Sequence, residues 1–140
     1  MSKVAVVYWS STGNTESMAE FVAQGARSAG ADVTVATAAD FDTASLGSYD
    51  AVAFGCPAMG AEELEDGEFL PMFEACESAL QGKRLGLFGS YGWGDGEWMR
   101  AWEETCRKDG ANLVGEGVIC CEAPDEDAEA ACKALGKELA

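Results

Sequence analysis

Five short apolar segments alternate with helical patterns along the chain, and this alternation limits the possible folds more than any other feature. The segments are KVAVVYW (3–9), DVTVAT (32–37), DAVAFG (50–55), RLGLFGS (84–90) and NLVGEGVICC (112–121). The first, third and fourth are almost wholly apolar, which is typical of parallel strands covered on both faces. The strict alternation predicts an α/β fold, a doubly wound five-stranded parallel sheet with helices on both faces.

Helical patterns cover residues 14–29, 68–80, 95–109 and 125–139, with a weaker one at 42–47. We expect Asn14 or Thr15 to cap the first helix and Asp125 to begin the last one. Gly30 and Gly110 stand where two of the helices are expected to end. The 140 residues contain no linker, repeat or low-complexity segment, so residues 1–140 are predicted to form one domain.

The chain is strongly acidic, with a formal net charge of -16 and no histidine. Such a surface repels nucleic acid and anionic membranes, and it either attracts basic patches on other proteins or serves solubility alone. We therefore expect transient, basic-surfaced protein partners, no nucleic acid and no membrane partner, and a monomer. The start of the chain has no signal-peptide pattern, and the six cysteines are scattered without a C-x-x-C. These features predict a cytoplasmic protein with reduced thiols and no metal site.

Ligands of doubly wound sheets bind outside the carboxyl ends of the strands, where the strand order reverses. The chemically unusual loops of this sequence follow strand ends: SSTGNT after the first strand, CPAMGAEE after the third and GSYGWGDG after the fourth. If the strand order is 2-1-3-4-5, these three loops converge on one end of the sheet. The sequence therefore predicts a ligand site there.

The loop SSTGNT offers hydroxyl and amide donors and free backbone N–H groups at a helix start, but no lysine or arginine. A helix N-terminus can hold a phosphate with neutral dipoles alone. The missing lysine argues against a nucleotide-hydrolysing P-loop, and neither a G-x-G-x-x-G in this loop nor any C-x5-R occurs. The loop is interpreted as a permanent phosphate anchor, with an ordinary well-capped turn as the alternative.

The other two loops carry flat or soft apolar side chains among glycines. Tyr91 and Trp93 alternate with glycines in GSYGWGDG, where regular structure to bury them is lacking, and Met59 precedes Gly60 in CPAMGAEE. Aromatic rings and a thioether pack well on a planar ligand. Together with the phosphate loop they indicate a phosphorylated planar heterocycle, whereas a surface aromatic loop, a protein contact or a core methionine are the alternatives.

With YWSSTGNTE, GCPAMGAEELE and LFGSYGWGDGEWM in this order, the whole chain resembles the flavodoxin family, specifically its short-chain, clostridial-type members. The segment 112–129 has no room for the extra loop of the long-chain members. The resemblance implies a flavodoxin-like sheet of order 2-1-3-4-5 and a non-covalently bound FMN. Two positions depart from the usual pattern: Ser11 stands where glycine is frequent, and Ala61 stands where a polar residue often follows the glycine.

The resemblance also implies residue roles. Residues 10–15 would bind the FMN phosphate, Met59 and Trp93 would flank the ring, and the Gly60 carbonyl would turn toward flavin N5 when N5 gains a proton. Glu62 would bond flavin N3, and residues 90–92 would contact the ribityl chain and the pyrimidine edge. The predicted cofactor-binding residues are Ser10, Ser11, Thr12, Gly13, Asn14, Thr15, Pro57, Ala58, Met59, Gly60, Glu62, Ser90, Tyr91, Gly92, Trp93 and Gly94.

The implied function is a low-potential one-electron carrier, not an enzyme, which cycles mainly between the semiquinone and the hydroquinone of FMN. Five of the seven residues 62–68 are acidic, and their charge is expected to lower the second reduction potential. A quinone or nitro reductase on the same fold and an activator of a metalloenzyme are the alternatives. A signalling receiver domain fits poorly, because Asp50 begins its strand instead of ending it.

Overall fold

The computed structural model describes residues 2–59, 63–92 and 94–140. Its central sheet is parallel throughout and has the predicted order, β2-β1-β3-β4-β5. The strands are β1 (Lys3–Tyr8), β2 (Asp32–Thr37), β3 (Ala51–Gly55), β4 (Arg84–Tyr91), β5 (Asn112–Leu113) and β6 (Val118–Cys121). The order confirms the prediction that the loops after β1, β3 and β4 share one end of the sheet.

The predicted continuous fifth strand over 112–121 is wrong, because the structure divides it into β5 and β6. Both pair with β4, but the register shifts by two residues between them. Two glycines make the interruption: Gly115 has a φ of 69°, and a Cβ on Gly117 would lie 2.4 Å from the Met99 sulfur. The Gly117 N–H donates to the Glu103 carboxylate at 2.7 Å and so does not extend the ladder. The sheet therefore has six strands among the described residues.

The described part of the chain contains four α-helices, α1 (Asn14–Ser28), α2 (Phe69–Cys76), α3 (Glu97–Lys108) and α4 (Glu126–Leu139), with 3₁₀ turns at Thr43–Ser48 and Glu77–Ala79. The Asp125 side chain accepts from the Ala128 N–H at 2.9 Å, and Gly30 and Gly110 have positive φ just past α1 and α3. These three predictions are confirmed. The cap predicted at Asn14 or Thr15 is wrong, because Gly13 is the N-cap residue.

The core consists of two layers, one on each face of the sheet. Alternate residues of β1 point to opposite faces, so Val4 and Val6 pack with α1 and α4, whereas Ala5 and Val7 pack with α2 and α3. The second layer is aromatic, because α2 and α3 contribute two phenylalanines and two tryptophans to it. Within the described ranges no helix is long and apolar enough to cross a membrane.

Candidate cofactor site

The three predicted loops meet in one cavity of about 530 Å³ at the carboxyl ends of β1, β3 and β4. A cavity of this size is in the range that holds small ligands and cofactors. Residues of all three loops and of the segment after β6 line it: Ser11, Thr12, Asn14, Pro57, Ala58, Met59, Ser90, Tyr91, Gly92, Glu122 and Ala123. No lysine or arginine lines it within the described part of the chain.

The loop between β1 and α1 presents neutral donors to this cavity. The Gly13 N–H donates to the Ser10 hydroxyl at 3.1 Å, and Gly13, with a φ of 95°, turns the chain into α1. No side chain of the described residues caps the start of α1, so the first-turn N–H groups keep their hydrogen-bonding capacity. Together with the exposed hydroxyls of Ser11 and Thr12, they form a set of donors that suits an anion.

Two predicted contact residues, Thr15 and Ser90, also contact each other inside the fold. Thr15 is 1% exposed and Ser90 is 5% exposed, and their hydroxyl oxygens lie 3.4 Å apart. The Ser90 N–H also points to the Thr15 hydroxyl at 3.4 Å. Thr15 does not line the cavity, so this pair joins the first turn of α1 to the end of β4 and fixes the distance between two of the loops.

The segment after β3 closes on itself at Met59. Met59 and Glu63 exchange both backbone hydrogen bonds, at 2.8 and 2.9 Å, and Met59 is half-buried at the edge of the cavity. Glu65 then holds the chain at the start of α2, because its carboxylate accepts from the N–H groups of Gly67, Glu68 and Phe69, each at 2.8 Å. Partial burial acts to raise the pKa of Glu65, but these three donors together outweigh it and lower the pKa.

We expect Glu65→Ala to lower the free energy of unfolding by about 1–2 kcal/mol at neutral pH, as loss of a helix cap does. Because the folded-state pKa is lowered, this stabilisation is present above the ordinary glutamate pKa and is lost as the pH falls through the folded-state value. The difference from wild type should therefore shrink in acid. Urea unfolding at pH 7 and pH 4 measures it, with Asp66→Ala as the control at an exposed neighbour. Equal losses for the two variants would contradict this role.

The aromatic loop is only partly as predicted. Tyr91 is the last residue of β4, half-buried, with its ring centroid 5.6 Å from that of Trp98, so regular structure does support it. Gly94, with a φ of 86°, is exposed and does not line the cavity. Ser10 and Gly13 line a smaller cavity on the other side of the first loop. The predicted contacts at Gly60, Glu62 and Trp93, and the departure at Ala61, lie outside the described residues.

Cys56 is the first residue after β3 and is fully buried. Burial raises the pKa of its thiol to about 12, so the thiol stays protonated and unreactive at neutral pH. Its sulfur accepts from the Glu65 N–H at 3.4 Å, and its carbonyl accepts from the Trp98 indole at 3.2 Å. These contacts give Cys56 a packing role under the site.

Glu122 and Ala123 line the cavity but were missed in the sequence reasoning. Glu122 has a φ of 61°, the one positive φ of a non-glycine residue among those described, and its N–H donates to the Tyr91 carbonyl at 2.8 Å. The missed signal is topological: the loop after the last strand must reach the same end of a parallel sheet as the other three.

The strand order and the cavity at its switch point define a doubly wound α/β protein of flavodoxin-like fold. The flavodoxin family model matches residues 6–135. The flavodoxin of Megasphaera elsdenii is 46% identical over 137 residues, which are 98% of each chain, and that of Clostridium beijerinckii is 45% identical over 135 residues, 96% of this chain and 97% of the relative. A solution structure of two-electron reduced M. elsdenii flavodoxin superposes with a TM-score of 0.89 at 46% identity, covering 97% of each chain.

This chain therefore belongs to the flavodoxin family, and it is similar to the short-chain Megasphaera and Clostridium types. Flavodoxins are electron carriers that bind FMN, and they are not enzymes. The chemistry of the cavity fits FMN. Uncharged hydrogen-bond donors line one part of it, and the apolar surfaces of Met59 and Tyr91 line another.

Proposed function

We propose that this protein is a low-potential one-electron carrier whose FMN moves mainly between its one-electron-reduced and fully reduced states. The observation that carries the proposal is the cavity that joins the uncapped start of α1 to Met59 and Tyr91. Its described lining contains no cysteine, and the chain has no histidine. For acid–base chemistry the described lining offers only the exposed Glu122 carboxylate and the Tyr91 hydroxyl, so we assign it to binding and orienting a cofactor.

FMN would be held by different groups at its two ends. Ser11, Thr12, Asn14 and the first-turn N–H groups of α1 would hold the phosphate. Pro57, Ala58 and Met59 would cover one side of the ring system, and residues 90–92 would contact the other. When bound, the flavin supplies the redox chemistry. The chain supplies orientation, exclusion of water and an electrostatic field.

The acidic groups around the cavity would lower the potential of the second reduction. A carboxylate about 10 Å from an added negative charge costs roughly 0.4–1.7 kcal/mol for effective dielectrics between about 80 and 20. For one electron, about 1.4 kcal/mol corresponds to about 59 mV. Glu122 at the cavity lip, Glu63, Asp66 and Glu68 all act in this direction, so several charges together would lower the potential by on the order of 100 mV before screening by salt.

We expect Glu122→Gln to raise the potential of the second flavin reduction by about 20–40 mV at low salt. This value lies in the lower part of the range for one carboxylate given above, because Glu122 is exposed. Potentiometric titration of the FMN-loaded protein at 20 mM and 500 mM salt measures the shift. Glu116→Gln, at an exposed loop position outside the cavity lining, is the control and should change the potential by under about 10 mV. Equal shifts in the two variants would show that only the net charge acts.

The proposal includes transient, basic-surfaced redox partners, a monomer and a cytoplasmic location. The net charge of -16 favours the first two, and the six free cysteines suit a reducing compartment such as the cytoplasm. Electron delivery to a basic acceptor such as ferric cytochrome c is expected to slow as the ionic strength rises.

Steady-state nicotinamide oxidation distinguishes an electron carrier from a flavin reductase. With NADH or NADPH and a quinone in excess, the FMN-loaded protein is expected to consume no nicotinamide beyond the rate of free FMN. After chemical reduction, the same preparation should reduce ferric cytochrome c rapidly and stoichiometrically. Sustained nicotinamide oxidation by the protein would overturn the proposal in favour of a reductase.

A further inference from the structure

A groove between α2 and α3 lies outside the cofactor cavity and has no part in holding FMN. Its volume is about 380 Å³. Its floor is aromatic, formed by Phe73, Trp98 and Trp102, each of which is 2% exposed. The groove therefore gives an incoming side chain access to the aromatic layer of the core.

The two tryptophans of this floor differ in their hydrogen bonds. The Trp98 indole N–H donates to the Cys56 carbonyl at 3.2 Å. The Trp102 Nε1–H is buried and has no acceptor within the described part of the chain. A buried donor without a partner costs about 1–3 kcal/mol. Because this nitrogen is covered in the free protein, a ligand carbonyl in the groove would accept from it and remove that cost only when the Trp102 indole turns toward the groove on binding.

The rim of the groove carries negative charge without compensation. Glu63, Asp66, Glu74 and Glu77 line it, and no lysine or arginine of the described residues does. Burial, a hydrogen bond with Asp109 and the negative charges of Asp109 and Glu74 together raise the pKa of Glu77 to about 7. Cations placed at this rim would be attracted to every charged group that lines it.

A small depression lies between the groove and the cofactor cavity and shares residues with both. Met59 lines the cavity, and Met59, Glu63 and Leu64 line the small depression beside it. Glu63 and Leu64 then form the near end of the groove. A partner protein with a segment bound in the groove would therefore lie close to the cofactor cavity.

We propose that this groove docks a short segment of a redox-partner protein, an apolar side chain flanked by lysines or arginines. The apolar side chain packs on the aromatic floor, a backbone carbonyl accepts from Trp102 Nε1, and the cations meet the acidic rim. The inference rests on the proposed function, because it assigns the partner surface of the same carrier.

The test uses FMN-loaded, ¹⁵N-labelled protein and a hexapeptide of two leucines flanked by lysine pairs. Hexalysine is the probe for charge alone. The indole resonance of Trp102 is assigned with Trp102→Phe, which removes that N–H. Two variants each add one positive charge: Thr105→Lys at an exposed position in the groove, and Ala130→Lys on α4 beside Glu126 and Glu129.

We expect the leucine peptide to shift the Trp102 resonance saturably and to bind at least 10-fold more tightly than hexalysine. Thr105→Lys should weaken binding at least 5-fold and Ala130→Lys less than 2-fold. An unmoved Trp102 resonance, equal affinity for the two peptides, or equal weakening by the two variants would overturn the groove proposal.

The two proposals fail in different ways. Electron uptake by the cofactor is followed by absorbance in the same samples, and it should be unchanged in Thr105→Lys. Normal uptake without peptide binding overturns the docking groove alone, whereas failure of the wild-type protein to take up electrons overturns the proposed function and the inference that rests on it.

Discussion

Riboflavin is expected to bind the apoprotein at least about 1000-fold more weakly than FMN. The two ligands differ only in the phosphate, which we assign to the hydroxyls of Ser11 and Thr12 and the uncapped start of α1. Hydrogen bonds to a charged group contribute about 1.5–3 kcal/mol each, and about 4 kcal/mol corresponds to 1000-fold. Flavin fluorescence quenching measures both constants. A ratio below about 10 would show that the loop does not hold the phosphate.

The dependence of FMN binding on ionic strength tests the same phosphate site in a second way. No lysine or arginine lines the described cavity, and the chain carries a net charge of -16, so the long-range field repels FMN while the local dipoles bind it. The FMN association rate should therefore rise with ionic strength. A phosphate site built on lysine would show the opposite trend.

Thr12→Val should weaken FMN binding at least 5-fold and leave riboflavin binding nearly unchanged.

Gly136→Ala is expected to lower the free energy of unfolding by about 2–3 kcal/mol. A Cβ at this position would lie 2.0 Å from the Val22 carbonyl oxygen on α1, and a Cβ on Gly25 would lie 2.0 Å from the Lys133 carbonyl oxygen on α4. Because both obstacles are backbone atoms, the helices must separate, and the loss exceeds the roughly 1 kcal/mol that alanine gains in helix propensity. Thermal and urea unfolding of the apoprotein measure it.

The same contact makes the two glycines interdependent. Once one alanine has moved α1 away from α4, the second should cost less, so the double variant Gly25→Ala/Gly136→Ala should lose less than the two single losses added. Gly47→Ala, which meets no atom within 4 Å, is the control and should change stability by under about 0.5 kcal/mol. A Gly136→Ala protein as stable as wild type would contradict the close helix approach.

The sheet order and the meeting of the three loops were predictable because they follow from topology. Nearly continuous apolar runs such as β1 and β3 specify strands buried on both faces, and parallel strands place their following loops at one end. The family resemblance then supplied FMN and the electron-carrier role, which the comparisons confirm.

Features that depend on particular side-chain contacts were not predictable from the pattern. The division of the fifth strand depends on Gly117 meeting Met99 and donating to Glu103, which no periodicity records. Gly13 displaced Asn14 and Thr15 as the N-cap because the turn into α1 requires a positive φ. Thr15 belongs to the motif but faces Ser90 inside the fold, so motif membership and cavity lining are separate properties.

A stepwise anaerobic reduction of the purified protein, followed by visible absorption, shows whether the cavity tunes FMN for single-electron transfer. We expect bound-flavin bands that pass through the long-wavelength absorption of a one-electron-reduced, protonated flavin before they bleach, in two well-separated steps. Flavin bands that bleach in one unsplit two-electron step would contradict the one-electron carrier, and a protein that takes up no FMN at all would contradict the assignment of the cavity.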